Sequence, residues 1–388
     1  MKIVLYRRRL SLTSGAGQLI RMQGEGLRAA GEDALVSCRR GALRFRLTTG
    51  LPVRRMSISA LKACARSPEH LLVDHQMAVR QADLVFVHNL MTEARRFLER
   101  EDWARVALEE ARFFAALEPH TPVVANSNLV KRALIEHFNM DPGRVSVLYP
   151  GFDTDRFAVH APQASNRASG AALTRPAQAG LLRDSRKLRR DARQSLGVAE
   201  DVPLIGLITS GEFDKRGLDI FLATAERIAA ARPDVRFLVA GGKRLPETAS
   251  RHPLVTGRSV SYRPKGRHPE RWFAALDIFL FPALFEEFGM VVSEAQASGL
   301  PVVTSRRVGA AECLPQAYEP WLLDAPDAAA FADRTLALLT DESTRLCLAA
   351  AGVQGIGHFG RDAYVRRTLV LIRECARAKH ERLTGTGS

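Results

Sequence analysis

No apolar run in this 388-residue chain is long enough to cross a bilayer. The longest, around Ala274 to Phe285, is broken by Asp277 and Pro282 and falls well short of the roughly 20 residues a spanning helix needs. A secretory signal is missing too, because MKIVLYRRRLS sets only a few apolar residues ahead of three arginines, whereas such signals place charge before a longer apolar block. The expectation is a cytoplasmic chain. Cysteine is scarce: Cys38, Cys64, Cys313, Cys347 and Cys375 are odd in number, scattered and free of any C-x-x-C pairing. That excludes a zinc ribbon or a disulfide framework and leaves five reduced, small apolar residues. With 46% hydrophobic and 25% charged residues, disorder and collagen-like structure are excluded, and the length suffices for two or three domains with real cores.

Acidic residues are absent from one long stretch. Between Arg39 and Pro68 there are eight basic residues (Arg39, Arg40, Arg44, Arg46, Arg54, Arg55, Lys62, Arg66) and no carboxylate. A second basic segment, Ala158 to Ser195, sets Arg167, Arg175, Arg183, Arg186, Lys187, Arg189, Arg190 and Arg193 against Asp184 and Asp191 alone. Together these segments account for the whole net charge of +14, so the remainder of the chain is neutral. The first segment interleaves its cations with Leu43, Phe45, Leu47, Val53, Met56, Ile58 and Leu61, a mixture suited to an anionic membrane surface; the alternative is a solvated basic loop.

Short β-branched runs alternate with helical patterns, which predicts βα units around parallel sheets. KIVLY, ALVSC, DLVFVH, PVVAN and VSVLY read as strands of the first half, with helices such as Gly17 to Ala30 and Asn128 to Phe138 between them. PLIGLI, VRFLVAG, SVSYR, DIFLF and PVVTS repeat the rhythm in the second. The fold class expected is α/β, two doubly wound Rossmann-like domains facing a cleft. Residues 1–160 form the first domain, 161–199 a basic linker or insertion with a disordered middle, and 200–360 the second domain. A helix and tail, 361–388, return toward the first.

The densest chemistry lies in ALFEEFGMVVSEAQASGLPVVTS, Ala283 to Ser305. A strand ends in a loop bearing Glu286 and Glu287, Gly289 lets the backbone turn, and a helix starts at Met290 and Val291. Loops at the carboxyl ends of parallel strands are where open α/β sheets bind ligands. A helix N-terminus there offers unpaired N–H groups to a phosphate, and Glu294 can accept hydrogen bonds from a diol. The alternative is that both carboxylates are helix-start capping and solvated surface. In GEFDKRG, Lys215 and Arg216 follow the first strand of the second half, where two cations can clamp a diphosphate; adjacent basic residues are also common in solvated turns. Gly15 and Gly17 of SGAGQ let a backbone approach a ligand closely, but position 20 is Ile20, so this is no dinucleotide fingerprint. His88 ends DLVFVH, where an imidazole could orient a hydroxyl or be only a hydrogen-bonded structural residue. Asp153-Thr154-Asp155 spells D-x-D, a pattern that can hold a metal, but no other carboxylate cluster has octahedral ligand spacing, so metal-independent chemistry fits better.

The Glu286 to Glu294 spacing, with FG after the first and GLPVV after the second, resembles the signature of retaining glycosyltransferases of the GT-B fold, the family-4 group. NSNLVKRALIEHF, VSVLYPGFDTDRF, SGEFDKRGLDIFL, FLVAGG and VGAAECL extend the resemblance along most of the chain. It implies that Glu286 contacts the donor sugar near its reacting carbon and that Glu294 holds the nucleotide ribose. Lys215 and Arg216 would face the diphosphate, which cation doing which job being open because Arg216 takes the usual lysine place. Gly15 and Gly17 would line the donor phosphates, the loop Tyr262 to Lys265, including Arg263, would lie near the base, and His88 near donor and acceptor. A further histidine usual at the end of the next strand has no match in VVANS.

The function expected is retaining, metal-independent sugar transfer from a nucleotide-diphosphate sugar, with no cofactor, to a carbohydrate or lipid-linked acceptor of the cell envelope, such as a lipopolysaccharide intermediate. The chain would be cytoplasmic, attached peripherally to the inner face of the plasma membrane. The alternatives are a nucleotide-sugar 2-epimerase on the same scaffold and a polyanion-binding protein. Nucleic acid is disfavoured, since Phe45 is the lone aromatic among the basic residues of the two segments.

Overall fold

The computed structural model describes residues 1–12, 14–158 and 175–385. The chain divides into two compact units, Met1–Phe152 with Phe359–Ser388, and Asp153–His358.

Unit 1 is a seven-stranded sheet: β1 (Lys2–Tyr6), β2 (Ala34–Cys38), β3 (Val53–Arg55), β4 (His70–Asp74), β5 (Leu84–Val87), β6 (Val123–Ala125) and β7 (Val145–Val147). Their order is β3-β2-β1-β4-β5-β6-β7, every pair parallel. Unit 2 holds β8 (Leu204–Ile208), β9 (Arg236–Ala240), β10 (Val260–Arg263), β11 (Ile278–Phe281) and β12 (Val302–Thr304), in the order β10-β9-β8-β11-β12, again parallel. The architecture is the α/β, doubly wound Rossmann-like pair of the GT-B class.

Alternation of side chains explains why the strands read as continuous apolar runs. In β1, Ile3 and Leu5 enter one core while Val4 and Tyr6 enter the other, so both faces of the sheet are covered. The order of strands reverses between β1 and β4 in unit 1 and between β8 and β11 in unit 2. Such switch points leave a crevice at the carboxyl ends of the two strands that flank them. Those ends carry Asp74 and the following His75 in unit 1, and the loops of Lys215–Arg216 and Glu286–Glu287 in unit 2.

Two strands escaped the sequence reading. Val53–Arg55 is three residues long with two charges, too short to show a period, and His70–Asp74 adjoins a basic segment taken as surface. That segment is corrected as well: Phe45 and Leu61 are buried at 1% and 0% exposure, so neither belongs to an outward apolar face. Of the expected insertion, 161–199, residues 161–174 lie outside the described residues, but its middle, expected to be disordered, does not. Its remainder is a helix, Arg175–Leu196, packed on helix Glu270–Ala275 of unit 2. Two of its arginines are structural: Arg189 bonds Leu276 O at 2.8 Å and Asp277 Oδ1 at 2.7 Å, and Arg193, 1% exposed, bonds Ala275 O at 2.7 Å.

Helix Arg361–Thr384 lies in unit 1, where Tyr364, Ile372 and Cys375 join the core beneath helix Gly15–Ala29. Its buried Lys379 donates to Ala65 O (2.7 Å), His70 O (2.8 Å) and Asp83 Oδ2 (2.9 Å). All five cysteines are free; four are buried and Cys347 is exposed. Among the described residues no helix is long and apolar enough to cross a membrane.

Candidate active site

At the switch point of unit 2 the chain leaves β8, passes Glu212 in the left-handed region (φ 52°) and turns at Gly217 (φ 69°) into helix Leu218–Ala231. A Cβ on Gly217 would lie 2.0 Å from Pro282 O, so glycine is what lets this loop close on the one after β11. The second loop is pinned by Leu284 N to Lys215 O (3.0 Å), Glu286 N to Arg307 O (2.9 Å) and Gly309 N to Glu286 O (2.9 Å). Gly289 (φ 91°) then starts helix Met290–Ala297, which has no side-chain cap; within its first turn Val292 N donates to Gly289 O at 2.9 Å. Met290 and Val291 are half-buried at that turn.

Five charges meet beside this turn. Lys215 Nζ lies 2.5 Å from Glu287 Oε2, the two side chains 3% and 1% exposed. Arg216 Nη1 donates to Glu212 Oε2 at 2.8 Å, and its Nε comes within 2.7 Å of Glu286 Oε2. That buried Glu286 oxygen nevertheless receives no directed hydrogen bond. Burial raises the pKa of Glu286 against the pull of Arg216 and Lys215, with Glu287 adding to the rise. Arg216 is desolvated, yet Glu286 and Glu212 outweigh that and hold it protonated. The sequence left open which cation does which job: Lys215 is engaged by Glu287, and Arg216 is the one beside Glu286.

Glu294 lies further along the helix. Burial lifts it to about 7, offset by Arg156 and Lys265 and reinforced by Glu270. Arg156 itself is held by Glu270 Oε2 at 2.7 Å and by Arg267 O at 2.7 Å. Of the residues expected near a base, Tyr262 donates its hydroxyl to Gly241 O (2.9 Å). Arg263 is engaged by Tyr262 O (2.8 Å) and Ser195 O (2.7 Å). Lys265 closes the loop expected near the base, whereas Arg156 and Glu270, also around Glu294, were not singled out in the sequence; Arg156 stands in the GFDTDRF element. Asp153 Oδ1 accepts from Arg156 N at 3.3 Å, and the side chain of Asp155 lies outside the described residues. Among the described residues no three His, Cys, Asp or Glu side chains group as metal ligands.

Gly15, Gly17 and His88 belong to unit 1. Ser14 caps helix Gly15–Ala29, its Oγ accepting from Gly17 N at 3.2 Å. A Cβ on buried Gly17 would stand 1.9 Å from Ser11 O, so that glycine answers to its own loop and only Gly15 is exposed. His88 is half-buried after β5, and its Nε2 lies 2.9 Å from Nδ1 of His75, which is 2% exposed and follows β4. Burial, then Arg7, lowers His88 to about 3; burial, His88 and Arg7 lower His75 strongly. The pair is therefore two neutral rings, one donating to the other, with Nε2 of His75 buried and unpartnered. Asn126 donates from Nδ2 to His88 O at 3.2 Å. His75 is the residue sequence reasoning missed. Its signal was present in HLLVDH, an apolar run that ends in Asp-His.

Both units thus present doubly wound sheets with chemistry at the switch point, the arrangement of GT-B enzymes. Residues 204–341 match the family model described as Glycosyl transferases group 1. A curated relative, D-inositol 3-phosphate glycosyltransferase of Xylanimonas cellulosilytica, is 29% identical over 249 residues, 62% of this chain and 54% of the relative. The chain thus spans about half the length of the curated relatives it matches. Among solved structures, HepE of Anabaena with UDP-glucose is similar at TM-score 0.71 and 16% identity, covering 96% of this chain and 100% of that one. Sucrose-phosphate synthase of Thermosynechococcus elongatus is similar at TM-score 0.73 and 18% identity, covering 97% and 100%. At those identities the likeness concerns the fold.

Proposed function

We propose that the protein is a retaining glycosyltransferase that binds a nucleotide-diphosphate sugar on unit 2 and passes the sugar to an acceptor hydroxyl. The observation that carries this reading is Glu286: a buried carboxylate beside Arg216, one oxygen without a directed hydrogen bond, next to an uncapped helix at a switch point. In this reading a sugar hydroxyl donates to the Glu286 carboxylate while Arg216 stays beside it. Arg216, Lys215 and the N–H groups from Met290 onward supply positive potential for the diphosphate as it leaves. Glu294 accepts from the ribose diol, and Tyr262 and Arg263 flank the base.

In the reaction the acceptor oxygen bonds to the anomeric carbon as the carbon–oxygen bond to the diphosphate breaks. The acceptor proton passes to the departing phosphate oxygen, on the same face, so configuration is retained. Charge on that group is met by cations and a helix end, which makes the transfer metal-independent in this reading. The basic composition favours a lipid-linked or envelope acceptor; the inositol phosphate named in the curated relatives makes a phosphorylated cyclitol the second class to try.

The test is a thermal-shift panel of UDP-, GDP- and ADP-sugars, starting with UDP-glucose because HepE is seen with it. A ligand that binds the folded state raises Tm. A donor that does so should then support transfer in EDTA, with the product's anomeric configuration read by NMR. No shift with any nucleotide sugar overturns the reading, an inverted product overturns retention, and loss in EDTA with rescue by magnesium overturns metal independence.

A further inference from the structure

Helix Ala42–Thr49 of unit 1 is built backwards for a surface helix. It buries a single side chain, Phe45, with Leu51 behind it, and turns Leu43 and Leu47 outward at 69% and 77% exposure. These are the two most exposed large hydrophobic residues among those described, and they lie one helical turn apart. Gly41 and Gly50, both left-handed, hold the two ends. At Gly41 a Cβ would meet Leu10 O at 2.4 Å, so the helix is fixed against the loop after β1.

Cations surround the leucines. Arg39, Arg40, Arg44 and Arg46 are exposed on or beside the helix, and the bridge Arg9↔Arg40 brings exposed Arg8 and Arg9 alongside. Among the described residues none of these six makes a salt bridge with a carboxylate. Elsewhere surface arginines do find one, as in Arg100 with Asp102, Arg232 with Asp234 and Arg306 with Glu319. Exposed apolar side chains ringed by unpaired cations match an anionic lipid surface, where the leucines enter the acyl boundary and the guanidinium groups meet phosphates. A nucleic acid has less use for the patch, since Phe45, its aromatic side chain, is 1% exposed and offers no face for a base.

We infer that this face of unit 1 docks on an anionic membrane leaflet, with Leu43 and Leu47 as the inserted pair. The inference does not depend on the reaction proposed above. Its test is co-sedimentation of the full chain with vesicles of phosphatidylcholine alone or containing about three-tenths phosphatidylglycerol. Binding should require the anionic lipid and fall about tenfold or more between 0.1 M and 1 M salt, as the Debye length drops from about 10 Å to about 3 Å. The variants Leu43→Ser/Leu47→Ser and Arg44→Ser/Arg46→Ser should each weaken it by about tenfold. Both alter exposed positions, and an unchanged Tm together with an unchanged nucleotide-sugar shift shows that fold and donor site are intact. Equal pelleting with neutral vesicles, no pelleting with either, or indifference to the leucine change overturns the inference. So does single-stranded RNA that binds more tightly than the anionic vesicles.

Discussion

At the switch point of unit 2, Lys215, Glu287, Arg216 and Glu286 are packed away from water as charges that compensate one another. At the end of β4 in unit 1, by its switch point, His75 pairs with His88 across 2.9 Å and both rings stay neutral. The same topology thus solves burial of ionisable groups in opposite ways. A charged cluster keeps strong fields for a ligand and is costly to break; a neutral pair is cheap to hold and gives up its charge. His88 and Glu294, the latter further along the helix beside the cluster, should respond to pH in opposite directions. His88, lowered to about 3 from an ordinary 6.5, contributes stability that is present above pH 6.5 and lost as pH falls toward 3. Glu294, raised to about 7 from 4.5, contributes stability that is present below pH 4.5 and lost as pH rises through 7.

The largest effect expected comes from breaking the charged cluster. Lys215→Met leaves Glu287 buried without its partner and should cost about 3–5 kcal/mol in denaturant unfolding. Adding Glu287→Leu should return most of it, and costs that merely add would show that the pair is not the reason. Next is Glu286→Gln, which keeps the shape and removes the charge. Turnover should fall about 10²- to 10³-fold, as when one electrostatic contact to a transition state is lost, with Tm unchanged or raised. Unaltered turnover would move the site elsewhere.

Smaller and more diagnostic is Glu294→Gln. Because the native carboxyl is near 7, the variant should be more stable than the parent at pH 8 by about 1–2 kcal/mol and no more stable at pH 4. Donor affinity should drop at the same time. Stability that fails to diverge with pH would contradict the burial assigned to Glu294. The smallest effect belongs to unit 1. His88→Asn should flatten the loss of stability on acidification below pH 6.5, a difference of about 1 kcal/mol at pH 5. Asp74, itself lifted to about 6 by burial, is common to both proteins and cancels in that comparison. An unchanged acid limb would mean that His88 is not held neutral.

Local sequence determined the scaffold. KIVLY, ALVSC, PLIGLI and the other apolar runs became strands within a residue or two of where they were read, because a strand covered on both faces needs apolar side chains at every position. FEEFG followed by a helix likewise announced a tight turn into that helix, since a left-handed glycine before a helix without a side-chain cap is written in a few neighbouring residues. What the tertiary structure decided was which charge answers which. Lys215 and Glu287 are 72 residues apart, and Arg156 reaches Glu270 across 114. No local pattern records those pairings, and Lys215 and Arg216 were indistinguishable until burial matched one to Glu287 and set the other beside Glu286. His75 shows the same limit from the other side. Its strand was not read from the sequence, and its importance lies in meeting His88 from an adjacent strand, where desolvation by the folded core keeps both rings neutral.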